Sequence, residues 1–194
     1  EIARYMRETY GVSNEKTALA ITIANREKAL LQDLDYENGY SLYVGIPFCP
    51  SICLYCSFGS HPLERWTKRV DEYLDTLCKE LTFIREQMGA RKLTTVYIGG
   101  GTPTTLEPEQ LRRLLSHIQE TFDFTWVKEY TVEAGRPDSI TREKLQVMKE
   151  FPVTRISVNP QTMNQKTLDV IGRKHTVEDT VNIFHMARAL EFDI

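Results

Sequence analysis

Thr94-Thr95-Val96-Tyr97-Ile98-Gly99-Gly100-Gly101-Thr102-Pro103-Thr104 decides the fold: a short apolar run drives into a glycine turn, and Pro108 then opens an amphipathic segment that continues to Phe122. Proline suits a first helical turn, because its missing N–H is one the helix would leave unpaired anyway. A strand, a turn and a helix in that order make one βα unit.

The same alternation continues on both sides. Strands are expected over 41–48, 94–98, 130–134 and 155–159, and helices over 66–88, 108–122, 141–150 and 176–190. A short helical turn over 165–171 should end at Gly172. Thr176 with Asp179 resembles a capping box ahead of Val177, Val181, Phe184 and Leu190. Short apolar strands separated by amphipathic helices indicate an α/β fold with a parallel sheet and crossover helices. Residues 192–194 would open a fifth strand, so the chain is expected to hold about four βα units of a barrel that needs more chain than this. It begins at Glu1 without a methionine and ends inside that strand, and both ends are expected to be cut.

Residues 1–39 form a helical segment of different character: one helix over 1–10 stopped by Gly11, then a second from Glu15 to about 34, with Ser13 and Asn14 as candidate caps. Asp35, Asn38 and Gly39 should turn the chain into the core, which runs from 40 to 194.

Composition narrows the function. The 194 residues are 41% hydrophobic and 26% charged, enough for one sizeable core. A formal net charge of −3 without a Lys/Arg cluster argues against a nucleic-acid partner. No apolar run approaches the ~18 residues of a membrane span, and no leader is visible, so the chain reads as cytoplasmic. In that setting its four cysteines point to metal ligation or buried thiols rather than disulfides. Cys78 recurs at helical spacing with Leu74, Leu77 and Leu81 and is expected to be a core thiol.

The other three cysteines, Cys49, Cys53 and Cys56, lie at spacings of four and three in a loop leaving the first strand. Thiolates are soft ligands that suit iron–sulfur clusters or zinc. A cubane has four irons, so three cysteines leave one iron open to a small molecule. The alternative is a structural zinc held by the same thiols and His61, a donor set zinc accepts. Other unusual residues also fall just after strands: Gly99 to Thr104, Glu133, and Asn159 to Gln161. In a parallel barrel those ends converge on one rim, where such folds place their chemistry.

Tyr43-Val44-Gly45-Ile46-Pro47-Phe48-Cys49 through Cys56 resembles the cluster motif of the radical S-adenosylmethionine superfamily, Cys-x3-Cys-x2-Cys with an aromatic before the last cysteine. Within it, the chain resembles the oxygen-independent coproporphyrinogen oxidase group. Cys53-Leu54-Tyr55-Cys56-Ser57-Phe58 and Ser157-Val158-Asn159-Pro160-Gln161-Thr162-Met163 are most similar to the HemZ-type coproporphyrinogen dehydrogenases. The likeness runs from about Tyr40 to the C-terminus.

The resemblance implies the front of a partial TIM-like (β/α)6 barrel, a 4Fe-4S cluster on Cys49, Cys53 and Cys56, and S-adenosylmethionine at its open iron. It assigns cofactor or substrate contacts to Tyr43, Tyr55, Gly100, Gly101, Thr102, Glu133, Gln161 and Arg173, with the glycines letting backbone approach the cofactor. An external electron donor would start cleavage of the sulfonium to a 5'-deoxyadenosyl radical. On a porphyrinogen that radical takes hydrogen from a propionate side chain, after which carbon dioxide leaves and a vinyl group remains. Some members carry a further cysteine two residues after the third, where this chain has Phe58; HemW-type haem chaperones share that lack. A haem carrier on the same scaffold and a zinc-stabilised α/β binding module therefore stand as alternatives. Cut after about four strands, the chain alone should turn over substrate poorly, because it lacks part of its pocket.

Overall fold

Pro47 has no N–H to give a ladder, and it ends the first strand. In the computed structural model, which describes every residue except Asp33, Tyr36, Gly59 and Ser60, that strand is β1 (Gly39–Ile46). The expected continuation to Phe48 instead forms β2 (Phe48–Cys49), paired in parallel with β3 (His61–Pro62) as a separate ribbon. The cysteine loop is thus held at both ends, since His61 N–H also bonds the Pro47 carbonyl at 2.8 Å.

The chain divides into two compact units, Glu1–Gly39 and Tyr40–Ile194. The first holds α1 (Ile2–Tyr10) and α2 (Asn14–Gln32). Gly11 ends α1 with φ 63°, a left-handed conformation that glycine adopts without a Cβ penalty, and its N–H bonds the Arg7 carbonyl at 3.1 Å. Ser13 caps α2 by accepting from Lys16 N–H at 3.3 Å. Of the helix expected to reach about residue 34, residue 33 lies outside the described residues. Among the described residues of the two helices only Thr17 is buried, and Ile2, Tyr5, Leu19, Ile23 and Leu30 remain exposed.

In the second unit the ribbon leads into α3 (Leu63–Trp66), a 3-10 turn over Thr67–Arg69, and α4 (Val70–Met88). The single helix expected over 66–88 is therefore interrupted. Trp66 and Arg69 leave helical ψ (−1° and 1°), and the Trp66 ring is held between His61 at 4.8 Å and the Arg69 guanidinium at 5.7 Å. Then follow β4 (Lys92–Gly100), α5 (Pro108–Thr121), β5 (Glu129–Glu133), α6 (Arg142–Lys149), β6 (Arg155–Ser157), α7 (Gln165–Val170) and α8 (Val177–Ala189).

The main sheet has the order β1-β4-β5-β6, with β4, β5 and β6 parallel and Val96 opposite Tyr130 and Val132 opposite Ile156. Bonds from Thr94 to Tyr40 and from Gly101 to Ile46 climb β1 and β4 together. Sequential strands lying side by side, joined by helices, form the α/β arrangement read from the sequence. Strand β6 stops at Ser157 rather than 159, because Pro160 lacks a donor and Asn159 turns back to accept from Gln161 N–H at 3.0 Å. The expected fifth strand is a single parallel bridge, Asp193 to Arg155, with Ile156 N–H on the Asp193 carbonyl at 2.9 Å.

Val44, Ile46, Val96, Ile98, Val132 and Ile156 face Leu74, Leu81, Leu111, Leu115 and Leu145 in one core. Each such side chain is worth about 1.5–3 kcal/mol on burial. Cys78 departs from expectation: the buried face of α4 is Val70, Leu74, Leu77 and Leu81, and Cys78 is half-buried on its flank. Its thiol is pushed up by burial, with Arg113 nearby acting the other way. Among the described residues no helix is long and apolar enough to cross a membrane.

Candidate functional site

The glycine turn shapes the site first. A Cβ on Gly101 would lie 2.7 Å from the Phe48 carbonyl oxygen and 3.0 Å from Cys49 Sγ, and one on Gly100, at φ 103°, would lie 2.9 Å from both N and O of Ile46. These glycines are needed where β4 crosses the base of the cysteine loop, and Gly101 N–H bonds the Ile46 carbonyl at 2.7 Å. Their close approach is to this chain's own loop.

Cys49 and Cys53 are buried, Cys56 is half-buried, and all three thiols are free. Thr102 Oγ1 lies 3.6 Å from Cys49 Sγ and 2.7 Å from the Gly101 carbonyl. One hydroxyl proton serves one acceptor at a time, and a charged thiolate is the stronger. Arg136 Nη1 points at Cys53 Sγ from 3.5 Å. From the other side, Leu54 N–H bonds the Ile171 carbonyl at 3.0 Å and Ser51 Oγ the Gly172 carbonyl at 3.3 Å.

Cys49, Cys53, Tyr55, Cys56, Gly100, Gly101, Thr102, Glu133, Gln161 and Arg173 line one cleft. Tyr43 does not; it lines an adjoining depression with Gly45, Phe58 and Tyr73 that shares Gly100 and Gly101. Glu133, at the end of β5, accepts from Tyr97 Oη at 2.5 Å, and Tyr97 stacks on Tyr43 at 6.0 Å. Burial raises the Tyr97 phenol, and the Glu133 carboxylate raises it further, so the phenol stays protonated and acts as donor. Arg173 gives Nη2 to Tyr55 Oη at 3.2 Å and Nη1 to the Gly135 carbonyl at 3.3 Å, while its buried Nε has no partner. Gln161 has φ 64°, an unusual conformation for a residue with a Cβ, held by the Asn159 turn beside the cleft.

Arg136 and Tyr97, and Ser157, which also lines the cleft, are not singled out by the sequence. Arg136 sits 83 residues from Cys53, and no local spacing marks it. The one available signal was its place three residues after Glu133, on the same strand-end loop.

His61 does not join the cysteines: its ring packs on Trp66 and lines a separate groove with Pro47 and Tyr73. Among the described residues no three His, Cys, Asp or Glu side chains converge enough to hold a single metal ion. A mononuclear zinc needs its sulfurs within about 4 Å of one another, since each Zn–S bond is about 2.3 Å. Cysteines that each bind a different iron of a cubane have no such requirement. Three free thiols in a loop, with N–H and O–H groups directed at two of the sulfurs, fit a cluster better than an ion.

Parallel strands that deliver a loop of three free cysteines, a glycine turn and a carboxylate to one cleft define an α/β protein with a thiol-rich site at its strand ends. A model of the Radical SAM superfamily matches residues 43–194, and the chain belongs to that superfamily. The family's cofactors are a 4Fe-4S cluster and S-adenosylmethionine.

The relatives lie in one branch. The chain is 40% identical over 187 residues to the oxygen-independent coproporphyrinogen-III oxidase-like protein HemZ of Bacillus subtilis, covering 94% of this chain and 37% of the relative. It is 39% identical over 154 residues to the heme chaperone HemW of the same organism, covering 79% and 40%. The solved structure of coproporphyrinogen III oxidase, HemN, from Escherichia coli matches with a TM-score of 0.72 at 28% identity, over 84% of this chain and 38% of that one. The chain thus spans about two fifths of the length of these relatives.

Proposed function

We propose that Cys49, Cys53 and Cys56 hold the 4Fe-4S cluster, that S-adenosylmethionine binds in the adjoining cleft, and that the protein carries out oxygen-independent oxidative decarboxylation of coproporphyrinogen III propionates to vinyl groups in haem biosynthesis. On this reading residues 1–39 are a helical lead-in and residues 40–194 the radical core. The observation that supports it most is the convergence of three free thiols with Glu133 and Arg173 on one cleft.

When bound, the cluster and its cofactor supply one-electron chemistry able to break an unactivated C–H bond, started by an electron from an external donor. The residues of the chain bind and orient. Glu133, fixed by Tyr97, is an acceptor for hydroxyl or amine hydrogens of the cofactor. Arg173, which gives Nη1 and Nη2 one bond each to Gly135 and Tyr55 and lines the cleft, is a donor for a carboxylate. Gln161 and Tyr55 flank it. Buried Cys49 and Cys53 place the reacting centre away from water.

The test is anaerobic iron–sulfur reconstitution of the wild type beside a Cys49/Cys53/Cys56→Ala variant, with EPR of the reduced samples with and without S-adenosylmethionine. Turnover of coproporphyrinogen III by the intact protein follows. A signal that needs the cysteines and shifts with cofactor, together with vinyl product, is expected. Stable zinc without a competent cluster would overturn the reading.

A second reading, a haem carrier on the same scaffold, is favoured by the likeness to HemW and by Phe58 where some oxidases carry a further cysteine. Stoichiometric haem binding by the intact protein, with no coproporphyrinogen turnover, would select it.

A further inference from the structure

Arg136 is the most fully engaged polar side chain near the cysteines, and it is 3% exposed. A guanidinium has five N–H donors, and here they meet five contacts. Nε and Nη2 fork onto Asp138 at 3.0 and 2.8 Å. Nη2 also reaches Ser51 Oγ at 3.0 Å, and Nη1 reaches the Ser51 carbonyl at 3.2 Å and Cys53 Sγ at 3.5 Å. One buried group therefore grips the backbone, a side chain and a ligand sulfur of the cysteine loop.

Its own backbone is braced in turn. Ser139 N–H and Oγ both donate to the Arg136 carbonyl, Ser139 Oγ meets Thr104 Oγ1 at 2.6 Å, and the buried Lys144 ammonium ties the Thr104 and Ser139 carbonyls at 2.8 and 3.2 Å. Thr104 belongs to the turn whose Thr102 lies against Cys49 Sγ. The two groups directed at cysteine sulfurs, from different strand ends, thus stand on one buried polar network.

We propose that Arg136 positions the cluster-binding loop and raises the reduction potential of the cluster through its N–H contact with Cys53, with Asp138 orienting it. Adding an electron makes the cluster and its sulfurs more negative. Hydrogen bonds to sulfur and nearby positive charge favour that state, while the Asp138 carboxylate opposes it. Buried in this way, the guanidinium needs its carboxylate partner, and the fork onto Asp138 aims the remaining N–H groups at the loop. The inference rests on the cluster site and is independent of any porphyrin substrate, so it can fail while the oxidase reading stands, and the reverse.

The experiment compares wild type, Arg136→Gln, Arg136→Lys and Asp138→Asn after anaerobic reconstitution with iron and sulfide, reading iron content and midpoint potential by EPR-monitored titration. Arg136→Gln should make reduction about tenfold less favourable, about 59 mV for a one-electron couple. Arg136→Lys keeps the charge but not the fork and should fall between. Asp138→Asn keeps an amide oxygen to accept from the guanidinium and hold it in place while removing the opposing negative charge, so it should shift the potential the opposite way. A glutamine or lysine variant that binds full iron at the wild-type potential would overturn the proposal. If neither arginine variant takes up a cluster, Asp138→Asn decides: an upward shift supports the assignment, and an unchanged or lowered potential overturns it.

Discussion

Alanine at Gly101 is the sharpest local test of how the glycine turn and the cysteine loop fit together. The added methyl would sit 2.7 Å from the Phe48 carbonyl oxygen, 3.0 Å from the Ile46 carbonyl oxygen and 3.0 Å from Cys49 Sγ. Two of these are backbone atoms next to buried Ile46 and Phe48, so no flexible chain end can yield. Overpacking of this kind costs about 1–3 kcal/mol, and immobile neighbours place Gly101→Ala near about 3. Gly100→Ala adds a residue with a Cβ at φ 103°, itself about 1–3 kcal/mol, to clashes with Ile46, for about 4 in all. Gly45→Ala meets only Tyr43 Cε1 at 3.5 Å and should stay within about 0.5 kcal/mol of wild type. Urea unfolding of the three variants measures the difference, and iron content after anaerobic reconstitution reports the loop. Gly101→Ala should lose both stability and iron, because relieving the contact moves Cys49. A Gly101→Ala variant with wild-type stability and full iron would refute the reasoning.

Thr176→Ala removes the side-chain acceptor that holds Asp179 N–H at 3.0 Å and should cost about 1 kcal/mol in urea unfolding, with cluster binding unchanged. Burial holds the His175 imidazole below its ordinary range, although the Asp138 carboxylate and the Pro160 backbone pull it up. As pH falls below the unfolded value near about 6.5, the unfolded chain takes a proton that the native ring resists; stability should therefore fall with acidity in that range, and His175→Leu should flatten the pH 5–7 slope. A wild-type slope in that variant would count against the assignment. Tyr97→Phe removes the donor to Glu133 and should weaken S-adenosylmethionine binding to the reconstituted protein by about tenfold, near 1.4 kcal/mol, in calorimetry. Unchanged affinity would show that Glu133 needs no such partner.

Much of the fold was legible because its signals are local. Pro108 opens α5, Gly11 closes α1, and Thr176 and Asp179 form the capping box ahead of α8. The errors came where a particular side chain or partner overrode the simple period. The helix expected from Trp66 begins at Val70, with the Trp66 ring taken up by His61 and Arg69. The first strand divides at Pro47, and the piece beyond it pairs with a segment that carries no strand pattern of its own. Cys78 lies at a helical spacing yet falls beside the buried stripe, since a period of 3.6 leaves flank positions ambiguous until the partner helix is placed.

The sequence by itself determined the alternation of strands and helices, the three-cysteine spacing and the position of the glycine turn, because each depends on residues within one or two turns of one another. Only the tertiary structure decided that Tyr43 lines an adjoining depression rather than the main cleft, that His61 lines a groove separate from the thiols, and that Gly100 and Gly101 are needed by the cysteine loop itself. It alone revealed Arg136, whose partners Ser51 and Cys53 lie 85 and 83 residues away. Hydrogen bonds and close contacts act over a few ångströms of space, and which distant residues come that close is settled only when the parallel strands pair and bring their ends to one rim.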